Sequence, residues 1–208
     1  MIAHLLDIDN LDMDSVLENS YKDFHAKGLD YICLQRSPEL TIKAYFFEGD
    51  AQDASEVVNP HDHRYNFQTT CLSGKIRNKW YQEPLPFDVP GETYNVFAWH
   101  TPLNGGAGFA DEQARITLSQ YKHVDALPGR SYFMLAHELH TIQVMKPNTV
   151  ILLTQHADVV PINEPTYTFT KSDEPPDLSG LYSKFTADQA MKRIKVLQEL
   201  EAEVLYRP

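Results

Sequence analysis

The chain changes its hydrophobic rhythm twice. Residues 12–27, DMDSVLENSYKDFHAK, place Met13, Val16, Leu17 and Phe24 at helical spacing, and Gly28 follows as a C′ stop. This predicts an N-terminal helix. From residue 29 the texture becomes β-branched and aromatic. LDYICLQR and ELTIKAYFFEG, separated by Ser37-Pro38, read as two strands. YNFQTTCLSGKIRNKWYQ, TYNVFAWHT, ARITLSQYKHVDA, RSYFMLA, HTIQVMK and NTVILLTQHADVV continue in the same style. Turn residues divide them at Ser73-Gly74, Pro90-Gly91, Asn104-Gly105-Gly106, Pro128-Gly129 and Pro147-Asn148. KSDEPPDLSG then reads as a loop. Residues 186–205 return to helical period, with Thr186 and Gln189 in capping-box spacing and an apolar face of Met191, Ile194, Leu197, Val204 and Leu205.

The predicted plan is a helix, about eight strands, a loop and a helix. Many short strands at this spacing suit an antiparallel sandwich or barrel. With 208 residues, one domain is expected. Its parts are a helical extension over about 1–28, a β-barrel over about 29–170 and a C-terminal helix over about 186–205.

Composition narrows the partners. Eighteen basic against 29 acidic side chains leave a net charge of −11, which repels nucleic-acid backbones and anionic lipid. No stretch approaches the ~20 apolar residues of a membrane span. The N-terminus, MIAHLLDIDNLDMD, lacks the basic start and long apolar core of a secretory leader. Cys33 and Cys71 read as two reduced thiols. A cytoplasmic protein, monomeric or homodimeric, is expected.

The chemistry concentrates in NPHDHRYNF, residues 59–67. On a strand, His61 and His63 point to one face, where two imidazoles can grip one metal ion. A third ligand must come from elsewhere, and His137 and His140 in LAHELHTIQV are the candidates. His4 and His25 read as side chains without a chemical role. His100, His123 and His156 lack ligand spacing, but Leu152, Thr154 and His156 share a strand face, which makes His156 the best pocket residue among them. Arg64, next to an inward histidine, is expected to face solvent. NGGAGF lacks the strand-to-helix context of a phosphate loop and reads as a flexible loop over the barrel mouth. HELH spaces its histidines three apart, not the four of a zincin helix.

The order of these histidines resembles the cupin family, a jelly-roll barrel built on two short metal-binding motifs. His61-Asp62-His63 followed by Gly74 is similar to the first motif, and Gly129 with His140 eleven residues later is similar to the second. The resemblance covers roughly residues 40–160 and selects His140 over His137 as third ligand. It implies a mostly β cupin barrel flanked by helices, and a divalent metal held by His61, His63 and His140. The family's usual Glu is absent from the first motif: counting from either end places it at Gln68 or Phe67. The second motif's Pro, Gly and closing Asn fall on Leu135, His137 and Val144. The long gap between motifs implies extra strands or an insertion within 79–126.

Three imidazoles without a carboxylate look like the ligand set of the cupin thiol dioxygenases, which bind iron through three histidines. The implied function is an Fe(II) oxygenase acting with O₂ on a small thiol, aromatic or dicarbonyl compound. Zinc, nickel or manganese are the alternative metals. The Ser-His-Tyr set of the thiol enzymes finds no convincing match after His140. Tyr65, Gln68 and His156 are the candidate catalytic side chains around the metal. A metal-dependent isomerase or lyase, or a non-enzymatic ligand-binding cupin, are the alternative readings.

Overall fold

A computed structural model describes residues 10–24, 28–48, 59–86, 90–101 and 105–205. His4 and His25 lie outside them. Helix α1 spans Met13–Asn19, and Asp12 caps it by accepting the amides of Asp14 and Ser15. The helix ends eight residues before the predicted limit. Ser20 leaves helical conformation and its hydroxyl accepts the Cys33 amide, while Tyr21 bridges to Tyr31 and Lys22 to Ser183. Gly28 is therefore no helix stop. Its φ of +75° turns the chain into the first strand, and an added Cβ would lie 2.6 Å from the Glu48 carbonyl oxygen.

Among the described residues ten strands follow: β1 (Leu29–Arg36), β2 (Leu40–Phe47), β3 (Tyr65–Ser73), β4 (Ile76–Gln82), β5 (Glu92–His100), β6 (Gly108–Ala126), β7 (Ser131–Met134), β8 (Leu139–Val144), β9 (Thr149–Asp158) and β10 (Thr166–Thr170). Helix α2 spans Ala187–Leu205. All strand pairs are antiparallel, in two sheets ordered β1-β2-β9-β3-β7 and β10-β5-β6-β4-β8. The extra material expected within 79–126 is β5 and most of β6, which form a hairpin. Of NGGAGF, Asn104 lies outside the described residues; residues 105–107 lead into β6, which starts at Gly108, and Gly106 donates to the Thr101 carbonyl. β10 had no counterpart in the strand reading of the sequence.

The segment around His61 supplies the missing rung of the second sheet. His61 exchanges both backbone hydrogen bonds with His140 of β8, and Asp62 donates to Tyr167 of β10. From β2 onward the chain passes between the sheets: β2, then the His61 segment, β3, β4, β7, β8 and β9 lie alternately in the first and second, with β5 and β6 added to the second. That double-sheet winding is a jelly roll.

Strand alternation in the first sheet separates two cores, and a smaller cluster of Tyr94, Leu118 and Phe169 lies on the second sheet. Phe67, Cys71, Ile76, Trp80, Met134, Ile151 and Leu153 fill the space between the sheets. The opposite face of the first sheet presents Ile32, Ile42, Ala44, Phe46, Leu72, Val150 and Leu152 to α1 and α2. The capping box is made as predicted: the Thr186 amide donates to Gln189 Oε1, and the Gln189 amide donates to Thr186 Oγ1. The buried stripe of α2 is Ala190, Ile194 and Leu197, with Leu200 beside it. Met191 is exposed, one helical step off that stripe, which corrects its place on the apolar face. Cys33 and Cys71 are buried free thiols.

The Ser73-Gly74 turn carries β3 out of one sheet and β4 into the other. Gly74 has φ +72°, and an added Cβ would fall 2.1 Å from Thr149 Oγ1 and 2.8 Å from Thr149 Cα. Gly74→Ala is expected to destabilise the protein by more than about 1 kcal/mol, read by chemical denaturation.

Candidate metal centre

The backbone explains why three imidazoles converge. His61 and His140 are directly opposite in an antiparallel bridge, so their side chains share a face. His63 is two residues on, and its amide donates to the Ala136 carbonyl at 2.9 Å, which returns its side chain to the same face. The ring centroids form a near-equilateral triangle: 4.9 Å for His61–His63, 4.8 Å for His61–His140 and 5.0 Å for His63–His140. One ligating nitrogen from each lies within 4.8 Å of the others, and no carboxylate belongs to the group among the described residues.

Hydrogen bonds aim two of the rings. His61 Nδ1 donates to the Asn59 carbonyl at 2.9 Å. His140 Nδ1 donates to Asn78 Oδ1 at 2.5 Å, while the Asn78 amide group reaches Met134 Sδ. Both contacts hold the proton on Nδ1 and leave Nε2 as the lone-pair donor, the arrangement of a metal-binding histidine. His63 Nε2 and His140 Nε2 then face each other at 2.8 Å. Imidazole nitrogens sharing one divalent ion at ~2.0–2.1 Å stand about 3 Å apart, so the donor set fits an ion after a small opening.

Burial keeps His140 neutral. His140 is 1% exposed, and desolvation, helped by nearby His61, holds its pKa well below the usual histidine value. Asp62, between the two histidines in sequence, faces away from them and accepts the Tyr167 amide at 2.6 Å. Burial raises its carboxyl from 3.8 to about 6, against the pull of that hydrogen bond. A carboxyl with a raised folded-state pKa stabilises most when protonated, so its contribution is complete below 3.8 and lost as pH rises through about 6. The stability of the wild type relative to Asp62→Asn is therefore expected to fall between pH 4 and 7, as denaturation at stepped pH would show (range ~3 units).

The structure separates the remaining candidates. Phe67 points at the histidines, its ring 4.7 Å from His63 and 5.7 Å from His140. Gln68, the next residue of β3, is exposed on the opposite face and does not reach the site. Tyr65 is on the inner face, 5.6 Å from His63. His156 is also misplaced by the sequence reading. It shares the face of Leu152, as expected, but that face is the outer one; His156 is exposed and its ring packs near Phe133, itself exposed. His137 is exposed in the turn before β8. Arg64 does not face solvent: it is 9% exposed and donates to the carbonyls of Val160, Pro161 and Glu164.

Two residues close to the site escaped the sequence reading. Asn78 is fully buried between Ile76 and Trp80 on one face of β4, and a polar residue at that core position was its signal. Lys43 is 5% exposed on the inner face of β2, where LTIKAYFF places it in line with Tyr45 and Phe47. Removing a hydrogen-bond partner of a ligating histidine typically lowers metal affinity by about 10–100-fold, the loss expected for Asn78→Ala in a competitive zinc titration.

A jelly roll with three inward histidines contributed by the His61 segment and β8 fits a cupin. No family model and no curated protein sequence matches the chain. Among solved structures it is similar to hydroxypropylphosphonic acid epoxidase from S. wedmorenis, at TM-score 0.38 and 18% identity, covering 71% of this chain and 61% of that one. It is similar to a cupin superfamily protein from Desulfitobacterium hafniense, at TM-score 0.36 and 12% identity, covering 62% and 78%. It is also similar to Streptomyces albus HEPD with 2-hydroxyethylphosphonate and Fe(II) bound, at TM-score 0.40 and 12% identity, covering 68% of this chain and 25% of that one. That fit rests on the strand order and the histidine geometry.

Proposed function

We propose that the protein is an Fe(II)-dependent cupin oxygenase acting on a small molecule in the cytoplasm, with His61, His63 and His140 as the metal ligands. The carrying observation is that three imidazoles converge with no carboxylate beside them among the described residues, two of them held with Nε2 inward. Neutral imidazole suits iron, zinc, copper and nickel, and three such ligands leave the full charge of a divalent ion for an anionic substrate to offset. Bound iron would supply the one-electron O₂ chemistry that protein side chains lack. Phe67 and Trp80 keep the inner wall apolar, and Tyr65 presents a phenol beside His63. Among the described residues no helix is long and apolar enough to cross a membrane.

The test is oxygen uptake by anaerobically iron-loaded protein against a panel of thiols, aromatic compounds and dicarbonyls. Uptake that requires iron and one class of substrate supports the proposal. Firm retention of zinc alone, with no uptake on any class, sinks it. The isomerase or lyase reading loses His156 as its base but gains the buried Lys43–Tyr65 contact as an acid–base pair. It predicts turnover without oxygen.

A further inference from the structure

Lys43 is a buried cation with no anionic partner among the described residues. Its Nζ donates to the Tyr65 hydroxyl at 3.0 Å and lies 4.8 Å from the Tyr65 ring centroid and 5.6 Å from that of Tyr31. Among the described residues no carboxylate pairs with it. Arg193, the other inward-turned cation beside β1 and β2, shows the contrast: it is clamped by Asp30 at 2.6 Å and by Glu48 at 2.5 Å. Removing an ammonium from water is costly unless opposite charge replaces the solvent. One phenol oxygen and two ring faces offset only part of that cost.

The position of the uncompensated charge matters. Lys43, Tyr45 and Phe47 share the inner face of β2, and Tyr65 shares the inner face of β3 with Phe67. The Tyr65 ring centroid lies 4.8 Å from the ammonium and 5.6 Å from the His63 ring centroid. Tyr65 and His63 are half-buried, so this end of the space between the sheets meets solvent. Because the ammonium donates to the phenol oxygen, the phenol hydrogen remains for a ligand.

We propose that Lys43 and Tyr65 form an anion-recognition arm of the histidine site, and that the molecule handled there is a small organic carboxylate. One of its oxygens accepts from the Lys43 ammonium and the other from the Tyr65 hydroxyl, matching one negative charge to one positive. This rests on the three histidines being the metal centre, since the arm is meaningful as a substrate determinant only beside that centre.

The test uses full-length protein, metal-free and zinc-loaded, with propionate, methylphosphonate and the neutral isostere propionamide as probes, binding being followed by ligand-observed NMR. Zinc stoichiometry is measured in parallel. Propionate is expected to bind, propionamide not, and methylphosphonate more weakly than propionate. Lys43→Met is expected to weaken propionate binding by about tenfold or more, Tyr65→Phe by less, and Lys43→Arg to restore it to within about threefold. Zinc content should be unchanged in all three variants. Equal binding of propionate to wild type and Lys43→Met overturns the proposal, as does equal binding of propionate and propionamide, or tighter binding of methylphosphonate. If Lys43→Met does not fold, the ¹⁵N signal of the Lys43 ammonium in wild type decides: it must shift on propionate addition and stay still with propionamide. Loss of zinc binding in the wild type with propionate binding intact refutes the metal centre instead, and leaves the anion arm as a separate ligand site.

Discussion

His140→Ala is expected to abolish stoichiometric metal binding, lowering affinity by more than the ~10–100-fold loss typical of an outer partner. His140 is the member of the histidine group that the fold holds most firmly. It is 1% exposed, its backbone pairs with His61 in both directions, and its Nδ1 is held by fully buried Asn78. Removing the imidazole takes one of three nitrogens and leaves Asn78 Oδ1 without its donor. An unsatisfied buried acceptor costs about 1–3 kcal/mol, so the variant should also be less stable without metal. Elemental analysis after dialysis gives the first effect and chemical denaturation of the metal-free protein the second. His137→Ala is the control. His137 is exposed in a turn, and its loss should change neither quantity. Unchanged metal content in His140→Ala would remove the three-histidine centre altogether.

The second large effect is expected from Phe67→Glu. Phe67 is 1% exposed and packs against both His63 and His140. Truncating a buried Phe costs about 3–5 kcal/mol, and a carboxyl placed there without metal must remain protonated or bear a heavy desolvation penalty. The metal-free variant should therefore be severely destabilised. A divalent ion reverses the sign of the electrostatic part, because the carboxylate becomes a fourth ligand. The gain in Tm on adding zinc should then be larger in Phe67→Glu than in the wild type, since a ligand bound only by the folded state stabilises in proportion to its affinity. Gln68→Glu, on the exposed opposite face of β3, should show no such metal-dependent gain. If both variants respond alike to zinc, Phe67 does not face the metal.

These two experiments probe a site that was half visible in one dimension. The His-x-His spacing implies two same-face imidazoles on any extended backbone, and the 11-residue step from Gly129 singles out His140 through the family resemblance. The first sheet's strands and the capping box of α2 follow from local rules and agree with the structure. The choice between Phe67 and Gln68 does not follow from such rules. Alternation says only that they face opposite ways; it takes the ring contacts of Phe67 to say which way is in. His156 fails for the same reason. Its shared face with Leu152 is real, but α1 and α2 cover that face, so it is not the barrel interior. Arg64 is buried because the 159–164 segment folds over it, a contact about a hundred residues away that no local pattern reports.

What the sequence determined by itself is therefore the set of faces: period two for the strands, period 3.6 for the two helices, and two imidazoles on one side of one short segment. What only the tertiary structure decided is which faces meet. The bridge between His61 and His140, the hold of Asn78 on His140 and the meeting of Lys43 with Tyr65 join residues 79, 62 and 22 positions apart. Such contacts depend on strand order and register, which long-range hydrophobic packing selects and short-range periodicity cannot encode.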